Sequence, residues 1–423
     1  MTPIRRNAAM NRQLILKNTA EKNFSKYVLG VKISPLDNVL ALAARQYISF
    51  TGRIIKNKIV FVHYDYKYQC NPKYICEELL RQHKGYDIVY AVKKDSSGNV
   101  PELPKGIRAV EINTYEFFRE LATARLWVDN ALNCPLSFVP KKHGQVLINT
   151  WHGSLGLKKI TGVPDRKWQL AAGTAGRITN FMISNSAFET EVFRSTYWND
   201  PKVRVVEFGH PRNDILFCDE KKKAELKRKV CRHFGVDEDT DLILYAPTFR
   251  NSGSTEYYDI DIPRVLAAAK ERFGGSWKML CRYHIKVADK MQRTTSEDIL
   301  DGNSYEDIQE LMTVCKIGIT DYSSWICDQV LGSSYGFIYA PDLDEYDSER
   351  GFYYPLQETP FPIARDNDEL INNILGFDSA HYERRRQVFL KTRGCHEDGK
   401  ASKRTVKLIN KIMEKTNYSN PTI

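Results

Sequence analysis

Three stretches concentrate side chains able to move a proton or hold a phosphate: "TWHGSLGLKK" (150–159), "CRYHIK" (281–286) and "TDYSSWICD" (320–328). His152 follows the apolar run "VLIN" and precedes Lys158 and Lys159. An imidazole of near-neutral pKa suits the deprotonation of an attacking alcohol; the same spacing equally suits a histidine that closes its turn through a main-chain bond. His284 stands near Arg282, and charged or neutral it can donate to a diphosphate oxygen as charge moves onto a leaving group. Thr320, Asp321, Ser323 and Ser324 end another apolar run. A serine there would cap the helix begun by "SWICDQVL", whose free amides would meet a phosphate. "GHPRND" adds Arg212, with Asn213 and Asp214 as turn formers, and "APTFR" adds Thr248 and Arg250. Guanidiniums, imidazoles and hydroxyls with few carboxylates beside them suit an anionic substrate such as a phosphate or diphosphate.

These groups recur just after short apolar runs. "IVFV" (59–62), "IVYAV" (88–92), "LWV" (126–128), "VLIN" (146–149), "FMIS" (181–184) and "VRVVEF" (203–208) form one series. "LILYAP" (242–247), "WKMLCRYH" (277–284), "KIGIT" (316–320) and "GFIYAP" (336–341) form a second, after the charged helical stretch near 219–235. Strand and helix alternating at this spacing predict parallel sheets with crossover helices, and the interruption predicts two Rossmann-like domains facing across a cleft. Ligands of such sheets sit at the carboxyl ends of the strands, where the candidate residues fall. His284 and Arg282 come close to the "TDYSS" segment if their two strands are neighbours.

The 423 residues carry a formal charge of +10, and eleven Lys and Arg against two acids place nine of those charges in residues 1–60. Within this basic arm, "PLDNVLALAARQYISF" sets Leu36, Val39, Leu40, Ala43 and Tyr47 at helical spacing. Such a helix can lie on an anionic membrane surface or pack on the first domain with its cations in water. No window reaches the roughly 18–20 apolar residues of a spanning helix, and the N-terminus lacks a secretory pattern, so the chain is expected to stay in the cytosol. Nine scattered cysteines without zinc spacing predict reduced thiols. No carboxylate cluster demands a metal, although a divalent cation can ride on a diphosphate.

Taken together, the motifs resemble the CDP-glycerol glycerophosphotransferase family, the teichoic acid primases and polymerases. The resemblance rests on "TWHGSLGLKKI", "GHPRNDIL" (209–216), "YAPTFR" (245–250), "TDYSSWICD", "RGFYYPLQETPFP" (350–362), "HEDGKASKRTV" (396–406) and "NPKYICEELL" (71–80), covering about residues 57–412. It implies a GT-B arrangement: a basic arm (1–57), an acceptor-side domain (58–215), a CDP-alditol-binding domain (216–400), and a C-terminal helix and tail (401–423). It also implies displacement at the glycerol-bearing phosphorus of CDP-glycerol or CDP-ribitol, with release of CMP, onto a hydroxyl of a polyprenyl-diphosphate-linked glycan. His152 matches the proposed base and His284 the histidine that contacts the diphosphate. Thr320, Asp321, Ser323 and Ser324 match the nucleotide-diphosphate segment. Arg212 and Arg250 match family arginines, and Lys158 and Lys159 fall on the acceptor side. Two departures stand out: Ile285 replaces the usual proline after the second histidine, and Leu155 and Gly156 replace proline and leucine. The absence of a long N-terminal extension suggests the short, single-unit form, peripheral on the cytoplasmic face of the membrane.

Two other readings compete. A GT-B glycosyltransferase using a nucleotide sugar would share the architecture. A nucleic-acid-binding protein would use the basic arm, but the charge beyond residue 60 is nearly balanced and the aromatics sit in core-like runs, so no nucleic acid is expected as partner.

Overall fold

Runs that are apolar at every position must be covered on both faces, and the chain buries them as central strands of parallel sheets. The structure is a computed structural model describing residues 35–95, 97–137, 139–160, 166–248, 250, 256–283, 296–349 and 351–415. The first sheet comprises β1 (Ile55–Val62), β2 (Asp87–Val92), β3 (Ile107–Glu111), β4 (Ala124–Asp129), β5 (Val146–Asn149), β6 (Phe181–Ser184) and β7 (Arg204–Glu207), in the order β3-β2-β1-β4-β5-β6-β7. The second comprises β8 (Thr240–Tyr245), β9 (Ser276–Cys281), β10 (Ile299–Asp301), β11 (Ile317–Thr320), β12 (Tyr335–Tyr339) and β13 (Ile363–Ala364), in the order β10-β9-β8-β11-β12-β13. All neighbours pair in parallel; Phe61 of β1 stands between Tyr90 and Val128.

Both sheets reverse strand order beside their first strand, between β1 and β4 and between β8 and β11. Loops leaving two such strands diverge to opposite faces and open a crevice at their carboxyl ends. The expected pair of Rossmann-like domains is therefore present, with each crevice feeding one shared cleft. The condition for bringing Arg282 and His284 next to the "TDYSS" segment is not met as stated, because β8 lies between β9 and β11.

The arm is described from residue 35, as helix Pro35–Thr51. Residues 1–34 of the expected arm, and the side chains of Leu36, Val39 and Leu40, lie outside the described residues. The helix packs on the first domain through buried Ala44 and Ile48, while Leu42, Tyr47 and Phe50 stand exposed, Phe50 by 90%. Ala43 and Tyr47, expected on one apolar face, both point outward.

Helix Ala401–Glu414 crosses back to the first domain. Val406, Leu408, Ile409 and Ile412 join Ile59, Phe61, Ile75 and Leu79 in one core, and Asp214 caps its start by accepting from the amides of Ala401 and Ser402 at 2.8 Å. The second core gathers around β8, β9, β11 and β12, and it includes Leu155 and Leu157 from the loop after β5. Ile409→Ala should open a cavity worth about 2–5 kcal/mol in the first domain. The expected readout is a lower urea midpoint; an unchanged midpoint would show that the helix contributes no core there.

Candidate active site

The carboxyl ends of both sheets face a cleft of about 680 Å³. The first domain contributes His63 and Tyr64 after β1 and Trp151 to Ser154 after β5. The second contributes Ala246 and Pro247 after β8, Arg282 after β9, and Ser323 and Ser324 after β11.

His152 owes its position to a strained turn. Trp151 has φ +52° and Leu155 φ +48°, left-handed values that side chains rarely adopt. Burial on both sides imposes them: Trp151 packs edge-on against Phe193 and Trp198, while Leu155 is wholly buried in the second core. Gly153 is required because a Cβ there would meet Trp151 Nε1 at 2.9 Å. The next residues run beside the "GFYY" segment: Lys158 bridges Phe352, Lys159 N donates to Gly351 O (3.1 Å), Tyr353 N to Leu157 O (3.0 Å) and Tyr354 Oη to Leu155 O (3.1 Å). The departure at Leu155 and Gly156 is thus the point at which the first domain's loop plugs into the second domain.

The imidazole shares a 2.8 Å bond between Nδ1 and the carbonyl of Asn130. A carbonyl only accepts, so in the neutral ring Nδ1 carries the proton and Nε2 keeps a free lone pair. Turn-closing bond and available base are therefore the same arrangement. Burial lowers the His152 pKa from 6.5 to about 4, with Arg212 and Lys158 acting in the same direction against the Asn130 bond. The residue is exposed to the cleft, so water offsets part of that burial, but the direction stands.

Arg212 backs this turn. It is 3% exposed, and its Nε donates to Asp328 Oδ2 (2.9 Å) while Nη2 donates to Gly153 O (2.7 Å). Burial alone would lower its pKa, but Asp328 more than offsets this and raises it. Asn71 links the same parts: its Nδ2 donates to the carbonyls of Thr150 (3.1 Å) and Trp151 (3.0 Å), and its Oδ1 accepts from Arg212 N (3.0 Å).

His152, Lys158, Arg212, Arg282, Ser323 and Ser324 line the cleft; Thr248, Arg250, Thr320, Asp321 and Lys159 do not. Thr320 Oγ1 donates to Ala246 O at 2.7 Å. Asp321 accepts from Thr248 N and from Arg250 Nη1, whose guanidinium also clasps Asp342 at 2.6 and 2.9 Å. Thr320, Asp321 and Arg250 shape the strand-end loops rather than present free donors, whereas the Thr248 hydroxyl is buried without a partner among the described residues. Ser324 is the N-cap of a helix only five residues long, Trp325–Gln329, and its side chain makes no capping bond, so the expected serine cap is not formed. Arg282 donates to the carbonyls of Gly302, Tyr305 and Glu306 and has no carboxylate partner among the described residues. Burial lowers its pKa below the usual guanidinium value. His284 lies outside the described residues.

The rule that found His152 also applies to the first apolar run, where "HYDYKY" follows "IVFV". His63, Tyr64 and Cys70 line the cleft there. Asn130 and Asp307 had no local signal, because each acts through a partner distant in sequence, while Asp328 closes the "TDYSSWICD" block without having been singled out. Asp307 accepts from Lys73 Nζ (2.5 Å) and Tyr74 Oη (3.0 Å) across the domain boundary. Among the described residues no group of three His, Cys, Asp or Glu side chains is arranged to hold a metal ion, and no helix is long and apolar enough to cross a membrane.

A family model described as CDP-Glycerol:Poly(glycerophosphate) glycerophosphotransferase matches residues 44–411. The teichoic acid poly(glycerol phosphate) polymerase of Staphylococcus epidermidis is 28% identical over 369 residues, covering 84% of this chain and 50% of its own length. The teichoic acid glycerol-phosphate transferase of Staphylococcus aureus is 27% identical over 84% of this chain and 93% of its own. The teichoic acid ribitol-phosphate primase of Bacillus spizizenii is 25% identical over 79% and 86%. The chain thus spans about half the length of the S. epidermidis polymerase and 45% of its Bacillus subtilis counterpart. The solved wall teichoic acid polymerase TagF superposes with a TM-score of 0.75 at 26% identity, over 95% of this chain and 98% of that one.

Removing Asp328 would leave a buried guanidinium without its counter-charge. Asp328→Ala is expected to destabilise the protein by about 3–5 kcal/mol, measured by denaturant unfolding; a cost below about 1 kcal/mol, the range of a surface pair, would contradict this.

Proposed function

The chain belongs to the CDP-glycerol:poly(glycerophosphate) glycerophosphotransferase family, and we propose that it transfers an alditol phosphate from a CDP-alditol to a hydroxyl of a lipid-linked glycan or growing polymer, releasing CMP. The observation that carries this reading is the free Nε2 lone pair of His152, aimed at a cleft whose other wall holds Arg282, Ser323 and Ser324. His152 takes the proton of the acceptor hydroxyl. Arg282 and the two serines meet the diphosphate, joined by His284. Arg212 and Arg250 act at one remove, holding the His152 turn and the loops after β8 and β11. A divalent ion, where one takes part, rides on the diphosphate oxygens. Relatives named for glycerol phosphate and for ribitol phosphate both match, so CDP-glycerol and CDP-ribitol are the two donors to test.

We propose further that the enzyme is a peripheral protein on the cytoplasmic leaflet. Supporting this, the exposed apolar residues Leu42, Tyr47 and Phe50 share a helix that is followed by the exposed Arg53 and Lys56. Apolar side chains enter the interface while lysines and arginines stay at the anionic surface. Phe50→Asp should weaken binding to phosphatidylglycerol vesicles at least about tenfold, since burying a Phe side chain is worth roughly 1.5–3 kcal/mol; undiminished binding would reject this surface.

The chemistry is tested by CMP release from CDP-glycerol and CDP-ribitol with a polyprenyl-diphosphate-linked disaccharide. His152→Ala should lower the rate about 10²–10⁴-fold, and full retention of activity would remove His152 as the base. Because the His152 pKa is lowered below 6.5, the ring stays neutral and competent at pH 7 and is lost only as pH falls through that lowered value. The acid limb of kcat/KM should therefore lie below pH 6.5, and a limb above it would contradict the assignment.

A further inference from the structure

One polar side chain at the centre of the cleft has no part in the reaction as proposed so far. Tyr64 follows β1, lines the cleft and is 50% exposed. Its ring lies 5.1 Å from that of His152. Among the described residues its hydroxyl has no hydrogen-bond partner. The charges of Arg282 and Arg212 both act on the phenol. Tyr64 thus lies beside His152 in the cleft that Arg282 lines from the second domain.

The position is held firmly. Tyr64 N donates to Asn130 Oδ1 at 2.7 Å, and the carbonyl of the same Asn130 anchors His152 Nδ1 at 2.8 Å. One residue thus sets the base and the phenol relative to each other. The loop continues through His63 Nδ1, which accepts from the amides of Asp65 (3.2 Å) and Lys67 (3.3 Å). Tyr66 and Cys70 both have φ +57°, strain that a loop tolerates when its surroundings fix it for a purpose.

We infer that Tyr64 is a further catalytic residue, whose hydroxyl donates a hydrogen bond to a non-bridging oxygen of the transferring phosphoryl group. This rests on the phosphotransfer reading above. The acceptor oxygen attacks the alditol-bearing phosphorus as its proton passes to His152 Nε2. The bond from that phosphorus to the bridging oxygen breaks, and its electron pair leaves with CMP. Charge spread over the non-bridging oxygens needs donors fixed in advance. A phenol fits a place beside the base better than an ammonium would, because a cation there would lower the His152 pKa still further. Burial raises the Tyr64 pKa from 10.0 to about 12, so the hydroxyl keeps its proton through the working pH range.

Tyr64→Phe keeps the ring and removes only the donor. With CDP-glycerol or CDP-ribitol and the lipid-linked disaccharide, kcat for CMP release should fall about tenfold to several hundredfold. Both KM values should stay within about threefold and the acid limb of the pH profile should stay in place, the pattern of an interaction made only in the transition state. A kcat within about twofold of wild type, or a loss confined to the acceptor KM, would overturn the inference while leaving the reaction intact. If the wild-type protein released no CMP from either donor with that acceptor, the phosphotransfer reading and this inference would fall together.

Discussion

The buried pair of Arg212 and Asp328 is the contact on which the arrangement of the cleft depends. Both side chains are at most 3% exposed, and each comes from a different domain. Desolvating two such charges is costly, and the cost is offset only when every remaining donor is used. Arg212 meets that demand through Gly153 O, Cys70 Sγ and Asp328. Its orientation is therefore tied to the turn that carries His152, and that imidazole is placed with reference to the second domain as much as to its own sheet.

The other recurrent sequence blocks act as props for one another in the same manner. Asn71 of "NPKY" joins the "TWHG" turn to the "PRND" turn. Asp214 of "PRND" caps the helix begun by "KAS". Arg250 of "APTFR" is gripped by Asp321 of "TDYSS" and by Asp342. Residues that resemble substrate ligands because they are charged and follow strands are in several cases the braces that let a few others face the cleft. His152, Tyr64, Lys158, Arg282 and the two serines are among those that face it.

Legibility in the sequence followed burial. Central strands such as β5 and β6 coincide with their apolar runs because both faces are covered, so every residue carries the signal. β3, β10 and β13 go unpredicted, and all three are sheet edges with partly exposed positions, whose composition need not be apolar. The strand-end rule located His152, Arg282 and the serines. It did not separate ligand from brace, because that distinction lies in pairings more than 70 residues apart, such as Arg250 with Asp321 and Arg212 with Asp328. The Asn130 carbonyl that sets the His152 tautomer is a main-chain atom, and no side-chain pattern could announce it.

Helix Ala401–Glu414 closes the first domain with a segment that is synthesised only after the strands of the second domain. Until it emerges from the ribosome, the face of the first sheet bearing Ile59 and Phe61 lacks Val406, Ile409 and Ile412. An N-terminal domain that is complete in strands yet only partly covered on one face is a target for chaperones and for misassociation. Its maturation must wait for the second domain, and truncation before residue 401 would yield a first domain with an apolar wound rather than an independent unit.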